Sequence, residues 1–482
     1  MKKHLQVMKF GGTSVGDAAC IGRVAQIVRD ASREYTVACV VSAMSGVTNR
    51  LIEAAIHAEA GDLERTGASF GVMRKQHEAA LRELVRNETR KKAIADRLDQ
   101  IFAEGERLCK GTALLRELTP RTLDAISSLG ERLSAPMVAG ALEEIGAKSE
   151  AIEATELIVT DPSHGGADPL MDRTRECCEA RMLPLLGQGV IPVVTGFIGA
   201  TAEGVLTTLG RGGSDYSATI LGAALGADEV IIWTDVDGVM TADPRLVPEA
   251  RTIPEISYRE ASELAYFGAK VLHPKTLRAV QQAGIPVWIR NSFEPGRTGT
   301  KITPQGRSNG GGVKALTAIR DVALITVGGP GIVGVPDVVA RTFTTTAQLR
   351  ATLLLISQSS SQNDICFIVA AGDAQRTVEA LRKEFAQDVR HEKVEHITVD
   401  PSIAIVAVVG ENMRGVPGLA GRTFSALGRE NVNVIAIAQG SSESNISFVV
   451  AETDVKTALI TTHREFGLGA GVPQEVTTGS RR

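Results

Sequence analysis

The chain has 482 residues, of which 43% are hydrophobic and 22% charged, with a net charge of −4. That length exceeds one ordinary core and predicts two or three domains, while the mild acidity excludes the basic footprint that nucleic acid requires. No run of eighteen apolar residues occurs, so no membrane span is expected, and the basic start lacks an apolar segment for export, which leaves a cytoplasmic protein as the expectation.

The six cysteines, at 20, 39, 109, 177, 178 and 366, form no C-x-x-C pair and predict neither zinc nor a disulfide framework. His391 and His396 flank Glu392 and Glu395, but the spacing fits no zinc-protease helix. No metal site is expected from protein ligands.

The first predicted strand ends at Met8-Lys9-Phe10, and Gly11-Gly12-Thr13-Ser14 then opens a helix. Glycines there allow close backbone approach to a phosphate, the helix start favours an anion, and Lys9 adds a mobile charge. A tight strand–helix turn would satisfy the glycines equally well. The next strand, Val37-Ala38-Cys39-Val40-Val41, leads into Ser42-Ala43-Met44-Ser45-Gly46-Val47-Thr48-Asn49, which puts small hydroxyls at the carboxyl edge of a sheet. Residues from about 57 to 125, rich in Glu, Arg, Lys, Ala and Leu, predict inserted surface helices.

Two further continuous apolar runs, Val190-Ile191-Pro192-Val193-Val194 and Glu229-Val230-Ile231-Ile232-Trp233, alternate with helical patterns. Such runs predict an α/β fold with a doubly wound, mostly parallel sheet. Between them, Leu209-Gly210-Arg211-Gly212-Gly213-Ser214-Asp215 is the densest chemical signal. Its glycines expose amides, Arg211 can fork onto a carboxylate, and Asp215 can orient a lysine or an ammonium. After the second run come Thr234-Asp235-Val236-Asp237-Gly238-Val239-Met240 and Asp243-Pro244-Arg245. No later Glu stands at calcium-loop spacing, so a nucleotide-edge loop fits better than calcium. Phe267-Gly268-Ala269-Lys270-Val271 supplies another lysine near a turn.

Ser308-Asn309-Gly310-Gly311-Gly312 marks a boundary, and an internal repeat follows it. Gly334-Val335-Pro336 through Phe343 matches Gly415-Val416-Pro417 through Phe424, and Ile356-Ser357-Gln358 matches Ile437-Ala438-Gln439. The offset is constant (415 − 334 and 437 − 356 both give 81), so one βαββαβ unit is used twice. Gly329-x-Gly331-x-x-Gly334 in the first copy mimics a dinucleotide fingerprint. The second copy has Asn412 in place of Gly331, and no acid follows the next strand, so no dinucleotide is expected.

Together these motifs resemble the aspartate kinases of the amino-acid kinase superfamily. The match runs through Lys9-Phe10-Gly11-Gly12-Thr13-Ser14-Val15, Ser42 to Asn49, Leu129-Gly130-Glu131-Arg132-Leu133-Ser134, Gly210 to Asp215, Thr234-Asp235 and Gly268 to Pro274. The resemblance implies a kinase domain over 1–305, two ferredoxin-like ACT domains over 313–395 and 396–475, possible intertwining of the two, and no further domain after them. It implies transfer of the ATP γ-phosphoryl group to the β-carboxylate of L-aspartate with Mg²⁺, the step that opens lysine, threonine and methionine biosynthesis. Lys9 would meet the transferring group and Asp215 would orient it. Glu131 would hold the α-ammonium and Arg211 the α-carboxylate, with Ser42, Thr48, Gly212, Gly213 and Ser214 also at the amino acid. Gly11, Gly12, Thr13, Thr234, Asp235, Met240, Arg245, Lys270 and Val271 would line the nucleotide, Met240 by apolar contact. Gln358, Ser360, Gln439 and Ser441 would hold an effector amino acid, threonine ahead of lysine. A homodimer or homotetramer through ACT strand edges is expected. The competing readings are a non-catalytic amino-acid sensor and a superfamily kinase for glutamate, carbamate or a nucleotide.

Overall fold

A computed structural model of the chain describes residues 4–268, 272–306, 312–329, 336–358, 364–413, 415–440 and 444–469. Two compact units make it up. The first holds residues 1–239, 252–258 and 271–306, and the second holds 240–251, 259–270 and 307–482.

The first unit opens with β1 (Leu5–Phe10), α1 (Ala18–Ser32) and β2 (Thr36–Val41), whose strands are buried almost end to end. Next come α2 (Val47–Glu59), α3 (Leu63–Leu84), α4 (Glu88–Leu115), α5 (Pro120–Ser127) and α6 (Leu129–Glu144). Local sequence sets these starts. Asp62 and Asn87 accept from the Arg65 and Arg90 amides, and Thr119 caps α5 ahead of Pro120. The chain continues through β3 (Ser149–Ile152), β4 (Val159–Thr160), α7 (Met171–Gly187), β5 (Ile191–Thr195), β6 (Ile198–Thr201), β7 (Leu206–Thr208), α8 (Gly213–Leu225) and β8 (Glu229–Thr234). It then runs through β9 (Glu255–Ser257), α9 (Tyr258–Tyr266), α10 (Pro274–Ala283), β10 (Val287–Asn291) and β11 (Thr300–Thr303).

Eight of these strands form one sheet in the order β3-β5-β2-β1-β8-β10-β11-β9. All pairs are parallel except β10 with β11. β1 lies between β2 and β8, with Lys9 level with Val40 and Ile232. The chain leaves β1 toward β2, while β8 flanks the other side. The carboxyl ends of these strands therefore border the crevice where such sheets bind ligands. Phe10 and Trp233 stack beneath it, ring centres 6.0 Å apart.

The second unit contains β12 (Ala315–Gly328), α11 (Pro336–Gln348), β13 (Leu353–Gln358), β14 (Asp364–Ala370), α12 (Ala371–Glu384), α13 (Ala386–Arg390), β15 (His396–Val409), α14 (Leu419–Arg429), β16 (Ala436–Ala438), β17 (Asn445–Ala451) and α15 (Val455–Glu465). Its sheet runs β13-β14-β12-β15-β17-β16. The 81-residue repeat reproduces contacts as well as letters. Phe343 meets Phe367 edge-on at 5.7 Å, and Phe424 meets Phe448 at 5.9 Å. Arg341 pairs with Glu384 over the Phe385 ring, and Arg422 pairs with Glu465 over Phe466.

The two copies are interleaved. β12 and β15 are fourteen residues each and pair antiparallel along their length, with register shifts between Ile319 and Leu324. The half of β12 from Val322 also pairs with β14, in the first copy, whereas Ala315 to Ile319 pairs with Ile405 to Val409 of the second. The strand that completes the second copy thus comes from ahead of the first.

Segments 240–251 and 259–270 also fold into this unit. Ala242 and Val247 share an apolar cluster with Val408, Phe448 and Leu459. The Lys314 ammonium sits 2.6 Å from Glu260 with both side chains almost fully buried. No described helix is long and apolar enough to cross a membrane.

Candidate functional site

A cavity of about 550 Å³ opens at the carboxyl ends of β1, β2 and β8, entirely within the first unit. Lys9, the penultimate residue of β1, is 8% exposed because its own strand and sheet neighbours cover the stem. Its ammonium reaches Asp215 in the first turn of α8 at 2.5 Å. Gly11, Gly12 and Thr13 line the wall beyond it. A Cβ on Gly12 would lie 3.0 Å from the Ala43 carbonyl, so a side chain there would push apart the two loops that build the cavity. Behind them the Ser14 and Ser292 hydroxyls join at 2.8 Å.

The loop after β2 supplies Ser42 and, in the first turn of α2, Thr48. Glu131 comes from the first turn of α6 and is 4% exposed. Burial pushes its carboxyl up to about 8, against the opposing pull of the Ala43 amide and the Lys9 charge. Among the described residues its Oε2 has no hydrogen-bond partner. Buried carboxylate oxygens are normally satisfied, so this one fits a cation donor that the chain itself does not provide.

Arg211, Gly212, Gly213, Ser214 and Asp215 follow β7 and start α8 on the opposite wall. The Arg211 side chain has no ion-pair partner among the described residues. Thr234 and Asp235 close the β8 edge. The arrangement offers a buried ammonium, an exposed guanidinium and a helix N-terminus to anions, and one buried carboxylate to a cation.

Not every expected residue lines this cavity. Met240 and Arg245 belong to the second unit, where Arg245 pairs with Asp243 in its own turn at 2.7 Å. Lys270 and Val271 lie outside the described residues, as do Ser360 and Ser441. Gln358 ends β13 and Gln439 follows β16, both exposed and at the two outer strands of the second unit's sheet.

Sequence reasoning missed Phe197. It lines the cavity with φ of +69°, a left-handed backbone that a phenylalanine rarely adopts. The Ser217 hydroxyl accepts from its amide at 2.9 Å and its carbonyl accepts from Leu209, which hold it there. Such strain concentrates at functional sites. Only its position just after an apolar strand hinted at it.

Residues 4–291 match the amino acid kinase family, and residues 325–385 and 406–466 each match an ACT domain. The chain belongs to the amino acid kinase family. Within it, the chain is 31% identical over 466 residues to aspartokinase 1, chloroplastic, of Arabidopsis thaliana, covering 95% of this chain and 80% of that protein. It is 36% identical over 469 residues to the bifunctional aspartokinase/homoserine dehydrogenase 1 of the same plant, covering 96% of this chain but 51% of that protein. The chain thus spans about half the length of the bifunctional relatives it matches. The structure of E. coli aspartokinase III in complex with aspartate and ADP superposes with a TM-score of 0.80 at 30% identity, covering 96% of this chain and 100% of that one. The same enzyme in complex with lysine and aspartate gives 0.79. This family's kinase fold followed by paired ACT domains is therefore the fold of this chain. The two ACT matches are themselves 81 residues apart (406 − 325), the offset of the sequence repeat.

Proposed function

We propose that this amino acid kinase transfers the γ-phosphoryl group of ATP to the β-carboxylate of L-aspartate. The observation that carries the reading is the Lys9–Asp215 pair set in one cavity with the unpartnered Glu131 oxygen and the exposed Arg211. Aspartate presents an α-ammonium, an α-carboxylate and a reacting carboxylate, and this cavity has one ionisable group for each in Glu131, Arg211 and Lys9. Likeness to a kinase solved with aspartate and ADP supports the choice of substrates.

The carboxylate nucleophile is already ionised at neutral pH, so the chain supplies position and charge rather than a base. Glu131 takes the ammonium and Arg211 forks onto the α-carboxylate. Ser42, Thr48 and Ser214 border the remaining wall. Lys9, held by Asp215, neutralises the transferring phosphoryl group, and Gly11 and the Gly12 and Thr13 amides border the phosphates. Thr234 and Asp235 meet the nucleotide. No group of three or more potential metal-ligating side chains occurs among the described residues. A Mg²⁺ ion would arrive on the ATP phosphates, which supply most of its ligands in such sites.

The second unit is read as an amino-acid sensor, with threonine as effector at Gln358, Ser360, Gln439 and Ser441. The repeated Gln358-Ser359-Ser360-Ser361 and Gln439-Gly440-Ser441-Ser442 stretches favour this, since each offers an amide and hydroxyls that can hydrogen-bond a threonine. Lysine is the second choice, since E. coli aspartokinase III was solved with it. Ile356 and Ile437, equivalent by the repeat, are 50% and 47% exposed on the outer strands β13 and β16. Two such apolar edges favour pairing with a second copy as a homodimer or homotetramer.

The test is hydroxylamine trapping with ATP, Mg²⁺ and aspartate. Aspartyl hydroxamate formation supports the reading, whereas ATP binding by a folded sample that yields no hydroxamate points to a sensor.

A further inference from the structure

Asp124, on α5, does not line the cavity, yet it is a buried carboxylate at 2% exposure. Burying such a group is costly unless donors surround it. Four do. The Thr208 hydroxyl donates at 2.5 Å and His164 Nδ1 lies at 2.8 Å, while the Gly165 amide donates at 3.1 Å and the Thr208 amide at 3.3 Å.

The Thr208 and Gly165 contacts lead to Arg211. Thr208 ends β7, three residues before Arg211. Gly165 presents its carbonyl to Gly210, where an added Cβ would sit only 3.0 Å from that oxygen, so the 163–166 loop sets the path of the Arg211 loop. On the other side, the Asp124 carbonyl accepts from the Ser128 amide at 3.0 Å, immediately before α6 and Glu131. The Ser134 hydroxyl, one turn further along α6, donates to the Ser42 carbonyl at 2.7 Å. The Asp124 carboxylate thus anchors the Arg211 loop to α5, the element that runs directly into the Glu131 helix.

We propose that Asp124 is a positioning residue that holds the Arg211 loop and the Glu131 helix at the separation of an α-amino acid's carboxylate and ammonium. The inference rests on the aspartate reading given above. The Gly165 and Thr208 amides can only donate, so an amide at 124 keeps its oxygen for them, loses the negative charge, and must offer its NH2 group to the Thr208 hydroxyl or to His164 in place of accepting from it. The nucleotide side of the cavity, at β1 and β8, receives none of its hydrogen bonds.

The experiment compares the full chain with Asp124→Asn, Thr208→Val and Thr208→Ser by steady-state kinetics, melting temperature and amide hydrogen exchange. Asp124→Asn is expected to raise the KM for aspartate at least tenfold while the KM for ATP moves less than twofold. Thr208→Val should follow it in part, and Thr208→Ser, which keeps the hydroxyl, should restore the native value. Exchange in residues 163–166 and 208–213 should quicken in Asp124→Asn and Thr208→Val. Equal changes in both KM values, no change in either, or unchanged exchange in those two segments would overturn the proposal. If Asp124→Asn does not fold, the two Thr208 variants decide. If the unmodified chain neither phosphorylates nor binds aspartate, the substrate reading fails, and exchange in the two segments alone decides whether Asp124 holds the loop.

Discussion

Lys9 Nζ and Asp215 Oδ1 are 2.5 Å apart, with side chains only 10% and 15% exposed. The pair joins the central strand β1 to the first turn of α8, so the ammonium is fixed before any ligand enters. Pre-organised charge of this kind needs no reorientation when negative charge moves between oxygens. Asp215→Asn leaves the cation without its counter-charge and its anchor. We expect kcat to fall by roughly 10²- to 10³-fold, the range for losing one such electrostatic contact. Initial-rate measurements at saturating ATP and aspartate check this.

Glu131 gives a pH signature. Burial raises its carboxyl from about 4.5 to about 8 in the ligand-free protein. Between those values the folded chain keeps a proton that the unfolded chain has released, so this group's contribution to stability declines as pH rises from about 4.5 to about 8 and then levels. An ammonium ligand has the opposite preference, because it favours the ionised carboxylate. Aspartate affinity should therefore rise by up to about tenfold per pH unit below pH 8 and flatten above it. Calorimetric titration near pH 7 in two buffers of different ionisation enthalpy should show proton release on binding. Glu131→Gln should abolish that release together with aspartate binding.

Arg211 is the exposed cation on the opposite wall, and a bidentate contact to a carboxylate is its expected use. Arg211→Ala should raise the KM for aspartate roughly 10- to 100-fold, the equivalent of one hydrogen-bonded charge contact. ATP affinity should hold. A variant that kept its aspartate KM would remove Arg211 from the substrate.

The Lys314–Glu260 pair tests the second unit separately. The side chains are 4% and 1% exposed, and Glu260 also accepts from the Glu411 amide at 2.9 Å. Lys314→Met strands a buried carboxylate, which typically costs about 3–5 kcal/mol. Denaturant unfolding should show that loss. Replacing both residues with apolar ones should recover much of it.

Effector recognition is checked at Gln358 and Gln439. Alanine at either position should raise the threonine concentration for half-inhibition about tenfold, as expected for losing one hydrogen bond, while leaving the uninhibited rate unchanged. Inhibition by lysine alone, untouched by both substitutions, would transfer the effector assignment to lysine.

Much of this molecule was legible in the sequence because its signals are local. The glycine-flanked loops after β1 and β7 needed close approach and gave themselves away by composition, and they do meet, through Lys9 and Asp215. A gapless repeat implied one unit used twice, and the paired Phe343–Phe367 and Phe424–Phe448 contacts follow from it. The rest depends on distant pairing. Nothing near Ala315 announces that it joins Val409 rather than its own copy. Ala242 and Val247 read as part of a nucleotide-edge loop, but their apolar faces are buried against Val408 and Phe448, some 160 to 200 residues away by number. Asp124 and Phe197 carry no motif at all. One is revealed by its four donors and the other by its backbone angle.

The most direct measurement is trapping of aspartyl hydroxamate by the purified chain with ATP, Mg²⁺, L-aspartate and hydroxylamine, beside Asp215→Asn. Our account requires hydroxamate that depends on both ATP and aspartate and that falls at least a hundredfold in the variant. A folded chain that binds ATP and aspartate yet forms none would contradict it.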